Sequence, residues 1–190
     1  VSTAPGQGGI GIIRVSGGDA IEIASLVFRS RTGLALADAM THTIHYGHVV
    51  DAAGEIIDEA LVSIMRAPAT YTREDVVEIN CHGGMIPLWR TVAVLVASGA
   101  RQAEPGEFTR RAFLNDRLDL AQAEAVADLI DASTEVAARS AVRSLAGEFS
   151  QRVHALMDAL TELRTLVEAT LDFPEEEIDF LQRADAAGRL

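Results

Sequence analysis

Residues 1–114 read as an α/β or α+β domain, with α+β preferred, and residues 115–190 as the opening helices of an incomplete α-helical bundle. Three observations carry this. Up to about residue 114, short β-branched runs bounded by turn residues alternate with helical spacings. Beyond Glu107 the turn and strand signals stop, and caps and 3-4 apolar spacings replace them. With 48% hydrophobic and 23% charged residues, the composition is that of a globular protein rather than a disordered one.

The first element follows Pro5–Gly11, where Gly6, Gly8 and Gly11 match G-x-G-x-x-G. A dinucleotide loop needs a strand before such glycines and a helix after them. Here the strand Ile10–Val15 comes after, so the nucleotide reading fails on order. Asp19 is placed to cap a helix through about Phe28, with Ile21, Ala24, Ser25 and Phe28 at helical spacing. Thr41–Asp51 and Ile56–Arg66 read as strands joined by a hairpin at 52–55, and Asp75–Cys81 as a further strand. Gly83 and Gly84 turn the chain into a helix over about 85–98, where Pro87 is tolerated in the first turn. Gly99–Ala103 reads as a short strand.

In the second part, Asp119 with Gln122 three residues later resembles a capping box, opening a helix to about Ala132. Ser133 or Thr134 caps another. From Gly147, a long helix carries Val153, Leu156, Leu160, Leu163 and Val167 as a narrow apolar seam. Phe173-Pro174 is expected to stop it, and Glu175–Glu177 to open the next helix. A bundle with one seam is incomplete, so the chain is expected to be a piece of something longer. The absence of an initiator Met fits that expectation.

Composition narrows the chemistry. The net charge is −12, and every basic residue is Arg. Residues 113–190 carry 7 Arg against 16 acids, so nucleic-acid phosphates would be repelled by most of that surface. The start lacks the charged and apolar regions of a signal peptide, and no apolar run spans a membrane. The single cysteine, Cys81, forms no internal disulfide and fits a reducing cytoplasm.

Three constellations invite functional readings. His42, His45 and His48 are spaced three apart, but in a strand His42 and His48 share a face while His45 points to the other, against a metal site. Cys81 beside His82 suggests a nucleophile and base, yet adjacent strand residues point apart, and a small buried cysteine is the better reading. Glu78 and Arg14 stand out more. Each interrupts an apolar run, Val76-Val77-Glu78-Ile79 and Ile12-Ile13-Arg14-Val15. An unpaired buried charge costs roughly several kcal/mol, so Glu78 either lies on an edge strand facing water or awaits hydrogen-bond donors. Arg14 is either a snorkelling surface arginine or part of a site.

The string PGEFTRRAFLNDRLDLAQAE at 105–124 closely resembles the signature of the bacterial MnmE (TrmE) family of tRNA modification GTPases. So do TAPGQGGIGIIRVSG at 3–17, EDVVEINCHGG at 74–84, ADLIDASTEVAARSA at 127–141 and DFPEEEIDF at 172–180. The resemblance covers the whole chain. It implies a tetrahydrofolate-binding, dimerising domain at 1–114, similar in fold to folate-dependent one-carbon transferases, and the first part of a helical domain at 115–190. It implies a homodimer that works with the flavoprotein MnmG (GidA) in the cytoplasm, away from membranes, on carbon 5 of the wobble uridine of tRNA. By the same resemblance, Gly6, Gly8 and Gly11 suit a tight loop that lets backbone approach a ligand or a partner subunit. Family positions that contact 5-formyltetrahydrofolate fall on Arg14, Glu78 and Arg117, the first two already marked by pattern. A carboxylate such as Glu78 can pair with the adjacent N–H donors of a pterin, and arginines suit the ligand's carboxylates and carbonyls.

Family members carry Lys where this chain has Arg117, a benign change in geometry or a shifted one. With no Lys there is no G-x-x-x-x-G-K-[ST], so GTP, Mg and K are expected only in a GTPase domain that these 190 residues lack. The family's cysteine-containing tail is also absent. No residue is assigned a catalytic or metal-binding role. Two other readings remain: a stand-alone folate-dependent aminomethyl transferase, and a dimerisation scaffold without ligand. The tetrahydrofolate derivative expected is the 5-formyl or the methylene form, and tRNA is expected to be met through the full complex.

Overall fold

Ile10–Ser16 forms β1, the β-branched run that follows the glycines, and it pairs with β5, Val76–His82. The computed structural model describes residues 1–4, 6 and 8–172. Between those strands come α1 (Ala20–Val27), β2 (Phe28–Ser30), a 3-10 turn at Leu36–Asp38, β3 (Thr43–Val50) and β4 (Ile56–Met65). After β5 follow α2 (Met85–Ala97) and α3 (Glu107–Leu114), then α4 (Leu120–Asp131), α5 (Glu135–Leu145) and α6 (Glu148–Asp172). The chain divides into two compact units, residues 1–118 and 119–190.

The first unit holds one sheet in the order β1-β5-β4-β3-β2, with every neighbouring pair antiparallel. That settles the choice between α/β and α+β in favour of α+β. Alternation along the strands sends Ile13, Val62, Ile64, Val77 and Ile79 into a core with Ala20, Ile21 and Ala24 of α1 and Leu88 and Leu95 of α2. The residues between them face the other way. On that second face Arg14, Glu78 and Ser63 share one row, and Ile44, Tyr46 and Leu61 remain exposed.

Several elements differ from their sequence reading. Phe28 does not extend α1; it is extended, buried and opposite Val49, as the first residue of β2. Its place in the helical spacing was a coincidence of two burial patterns. Asp19 sits at the N-cap without a side-chain bond, and its backbone carbonyl accepts from Ile23 instead. Gly99–Ala103 is not a strand: Ser98, Gly99 and Ala100 donate back to the last turn of α2, which uses the N–H groups a ladder would need. Helix α3 was not foreseen, although Gly106, at φ 74°, provides the turn into it. His42 lies in a turn at φ 59°, outside β3, so it shares no strand face with His48.

Two glycines show what the opening loop requires. A Cβ on Gly83 would stand 2.3 Å from the Gly8 carbonyl oxygen, and one on Gly11 would stand 2.5 Å from a Leu88 methyl. The close approach they permit is between two stretches of this chain's own backbone and helix α2.

In the second unit, Asp119 and Gln122 form the full capping box at the start of α4. Thr134, rather than Ser133, caps α5 by accepting from the Ala137 N–H. The three helices pack on one another through small residues such as Ala125 and Ala141, while Ile130, Val136 and Leu156 stay exposed. The stop at Phe173-Pro174 and the helix at Glu175–Glu177 lie outside the described residues. Among the described residues, no helix is long and apolar enough to cross a membrane.

Candidate functional site

Arg14 on β1 stands opposite Glu78 on β5 in the strand register. Its Nε donates to Glu78 Oε1 at 2.8 Å and its Nη2 to the same oxygen at 2.5 Å. Both bonds end on Oε1, which leaves Oε2 outside the pair. The strand β5 is an inner one, flanked by β1 and β4, so the edge-strand explanation of Glu78 is overturned. The two charges that interrupt their apolar runs are each other's partner, with side chains 30% and 23% exposed. Charge-assisted bonds of this kind carry their strength in geometry as much as in energy.

Arg117, in the stretch after α3, joins the same place through an aromatic ring. Its guanidinium carbon stands 4.9 Å from the Tyr71 ring centroid, and that of Arg14 stands 5.8 Å from the same centroid. Phe108 on α3 adds a second ring, 5.7 Å from the Arg14 guanidinium. Contacts of this type are worth about 0.5–2 kcal/mol each, depending on desolvation. The two arginines marked in the sequence thus meet at Tyr71, and Glu78 joins them through Arg14. Neither Tyr71 nor Phe108 was marked, because nothing in a lone Tyr-Thr or Glu-Phe pair signals a cation across the fold.

A chain of carboxylates and arginines fixes the ring's surroundings. Glu107, in the first turn of α3, is buried and accepts from Arg101, from the Glu104 N–H at 2.9 Å and from Arg111 at 3.0 Å. The Arg101 bond and then the Glu104 N–H hold its carboxyl well below the usual carboxylate range. Arg111 reaches on to Glu74 at 2.9 Å, and Glu74 accepts from the Ser16 hydroxyl at 2.9 Å. Ser16 also bonds Thr72 at 2.6 Å, and the Tyr71 hydroxyl meets Thr109 of α3 at 2.9 Å. The segment 71–74 is therefore tied on one side to β1 and on the other to α3. The Glu107–Arg111 spacing of four residues was the one available sign of this network.

The Cys81–His82 pair separates as strand geometry requires. Cys81 is buried beside Thr91, and burial pushes its thiol up to about 11. His82 faces outward, its Nδ1 2.7 Å from Asp58 Oδ1, and this hydrogen bond raises its pKa. Thiol and imidazole do not meet.

The group around Tyr71 offers a half-buried carboxylate with one oxygen free of Arg14 for N–H donors, and arginines for carbonyl and carboxylate groups. A family model described as the N-terminus of the GTP-binding protein TrmE matches residues 1–117, and one described as the MnmE helical domain matches residues 120–190. Among curated proteins, the tRNA modification GTPase MnmE of Chromobacterium violaceum is 55% identical over 190 residues, all of this chain and 41% of that protein. Its counterpart in Geobacillus thermodenitrificans is 53% identical over 92% of this chain and 38% of its own length. That of Neisseria meningitidis serogroup B is 52% identical over all of this chain and 41% of its own. The chain spans about two fifths of the length of these relatives.

Proposed function

Because the chain belongs to the MnmE (TrmE) family, we propose that residues 1–118 bind a tetrahydrofolate derivative, 5-formyl or methylene, at Arg14, Glu78 and Arg117. The observation that carries this reading is the meeting of Arg14 and Arg117 on Tyr71, with Glu78 held by Arg14. Glu78 pairs through its free oxygen with the donor edge of the pterin. Arg14 neutralises that carboxylate and holds it in place, and arginine supplies the donors for the ligand's oxygen acceptors. When bound, the folate supplies a one-carbon unit.

The reading extends to the whole protein. It acts in the cytoplasm as a tRNA modification GTPase that, with the flavoprotein MnmG (GidA), alters carbon 5 of the wobble uridine. GTP, Mg and K belong to a GTPase domain with a P-loop lysine, which no segment of these lysine-free 190 residues can supply. Most contacts to tRNA phosphates fall to other parts of that complex, given the acidic balance of this chain. The protein is a homodimer through its first unit. Support comes from the sheet face opposite α1 and α2, where Ile44, Tyr46 and Leu61 leave apolar surface open to a second copy.

Calorimetric titration with 5-formyltetrahydrofolate tests the site. Micromolar binding that Glu78→Gln and Arg14→Ala each weaken tenfold or more, about 1.4 kcal/mol, is the expected result. Tight binding indifferent to both substitutions moves the pocket elsewhere. A folded, dimeric protein that binds none is a scaffold.

A further inference from the structure

Arg117 takes part in no ion pair among the described residues. What restrains its exposed side chain is the ring of Tyr71, 4.9 Å from the guanidinium. Arg14, by contrast, is already committed to Glu78. We infer that Tyr71 is a positioning residue: it holds Arg117 as a spare cation beside the Arg14–Glu78 pair, poised for an anionic group of the ligand. The inference rests on the folate reading and deepens it by assigning the ligand's carboxylate to Arg117 through Tyr71.

The physical argument is one of preorganisation. An arginine side chain loses substantial rotamer freedom on binding, and a ring that already confines it removes part of that cost in advance. The ring is itself held. Its hydroxyl meets Thr109 of α3, and the next residue, the buried Thr72, bonds Ser16 of β1. Arg14 stands over the same ring, so one aromatic side chain sets the spacing between the neutralised pair and the free cation. A ligand matched to this layout has a planar donor edge for Glu78 and an anion within reach of Arg117.

The test is a double-mutant cycle in the full-length protein, with 5-formyltetrahydrofolate as the probe. Tyr71→Leu removes the ring and Arg117→Gln removes the charge; each is expected to weaken binding about tenfold, and the double variant by about the same factor. Tyr71→Phe, which keeps the ring and loses only the Thr109 bond, should stay within about threefold of wild type. Losses that multiply to about a hundredfold mean the two act independently and overturn the inference. So does a Tyr71→Leu variant that binds like wild type while Glu78→Gln binds weakly, an outcome that leaves the folate reading intact. A wild-type protein that takes up no folate overturns the reading and the inference together. Should Tyr71→Leu fail to fold, arginine-labelled wild type decides by NMR: Arg117 side-chain protons displaced upfield by the ring support the inference, and undisplaced ones overturn it.

Discussion

Arg14 and Glu78 are cross-strand partners whose two hydrogen bonds share a single carboxylate oxygen. A pair built this way is part-exposed, and such pairs contribute only about 0–1 kcal/mol to stability. Glu78→Gln should therefore lower unfolding free energy by no more than about 1 kcal/mol. Its effect on folate affinity is expected to be larger. Chemical denaturation beside calorimetry separates the two, and a variant that loses stability and affinity in equal measure would show the pair to be structural.

Glu107 makes stability depend on acid. Its pKa is lowered in the folded state, chiefly by Arg101 and then by the Glu104 N–H. The stabilisation is therefore complete above the ordinary carboxylate pKa and is lost as pH falls below it. Glu107→Gln should destabilise the protein at neutral pH and flatten the decline of its melting temperature between about pH 5 and pH 2. Thermal melts across that range check the slope.

Gly83 admits no side chain. With the Gly8 carbonyl oxygen 2.3 Å from where its Cβ would lie, the obstruction is backbone and cannot rotate away. Gly83→Ala should cost about 1–3 kcal/mol, the range for overpacking, and displace the opening loop. Denaturant midpoints measure the loss, and an unchanged midpoint would mean the loop is free of the turn.

His82 should titrate above its ordinary value of 6.5, since the hydrogen bond it donates to Asp58 favours the charged ring. The pair's contribution is then present below that value and lost as pH rises through the higher midpoint. Asp58→Asn should return the midpoint toward 6.5, as followed by NMR of the imidazole. A midpoint indifferent to Asp58 would remove the pair from solution.

Much of the candidate site was legible where a charge broke a pattern. Arg14 and Glu78 each sit in a β-branched run that has no other polar residue, and the sheet shows that the two interruptions answer one another. Arg117 was reached through resemblance alone, since a surface arginine after a helix carries no local signal. Tyr71 and Phe108 stayed invisible for a related reason: a cation–π contact depends on which elements meet in space, and β1 meets α3 only in the fold. Strands β3, β4 and β5 were readable from alternation, while β2, only three residues long, was hidden in the apolar spacing of α1. Helix α3 escaped because its buried face includes Glu107, a residue whose burial requires two arginines from different places in the chain.

The pairing of β1 with β5 also fixes when the site comes into being. Neighbours β3 and β4 close over a short turn at 51–55, whereas Arg14 and Glu78 are 64 residues apart in the chain. Closing the longer loop costs about 2 kcal/mol more in chain entropy, and contacts of such range form slowly. The first strand of the chain completes the sheet, and in doing so it brings the arginine to its carboxylate. Uptake of the proposed ligand at this pair should therefore report the closing of this long-range seam, and in refolding its binding signal is expected to lag behind hairpin formation.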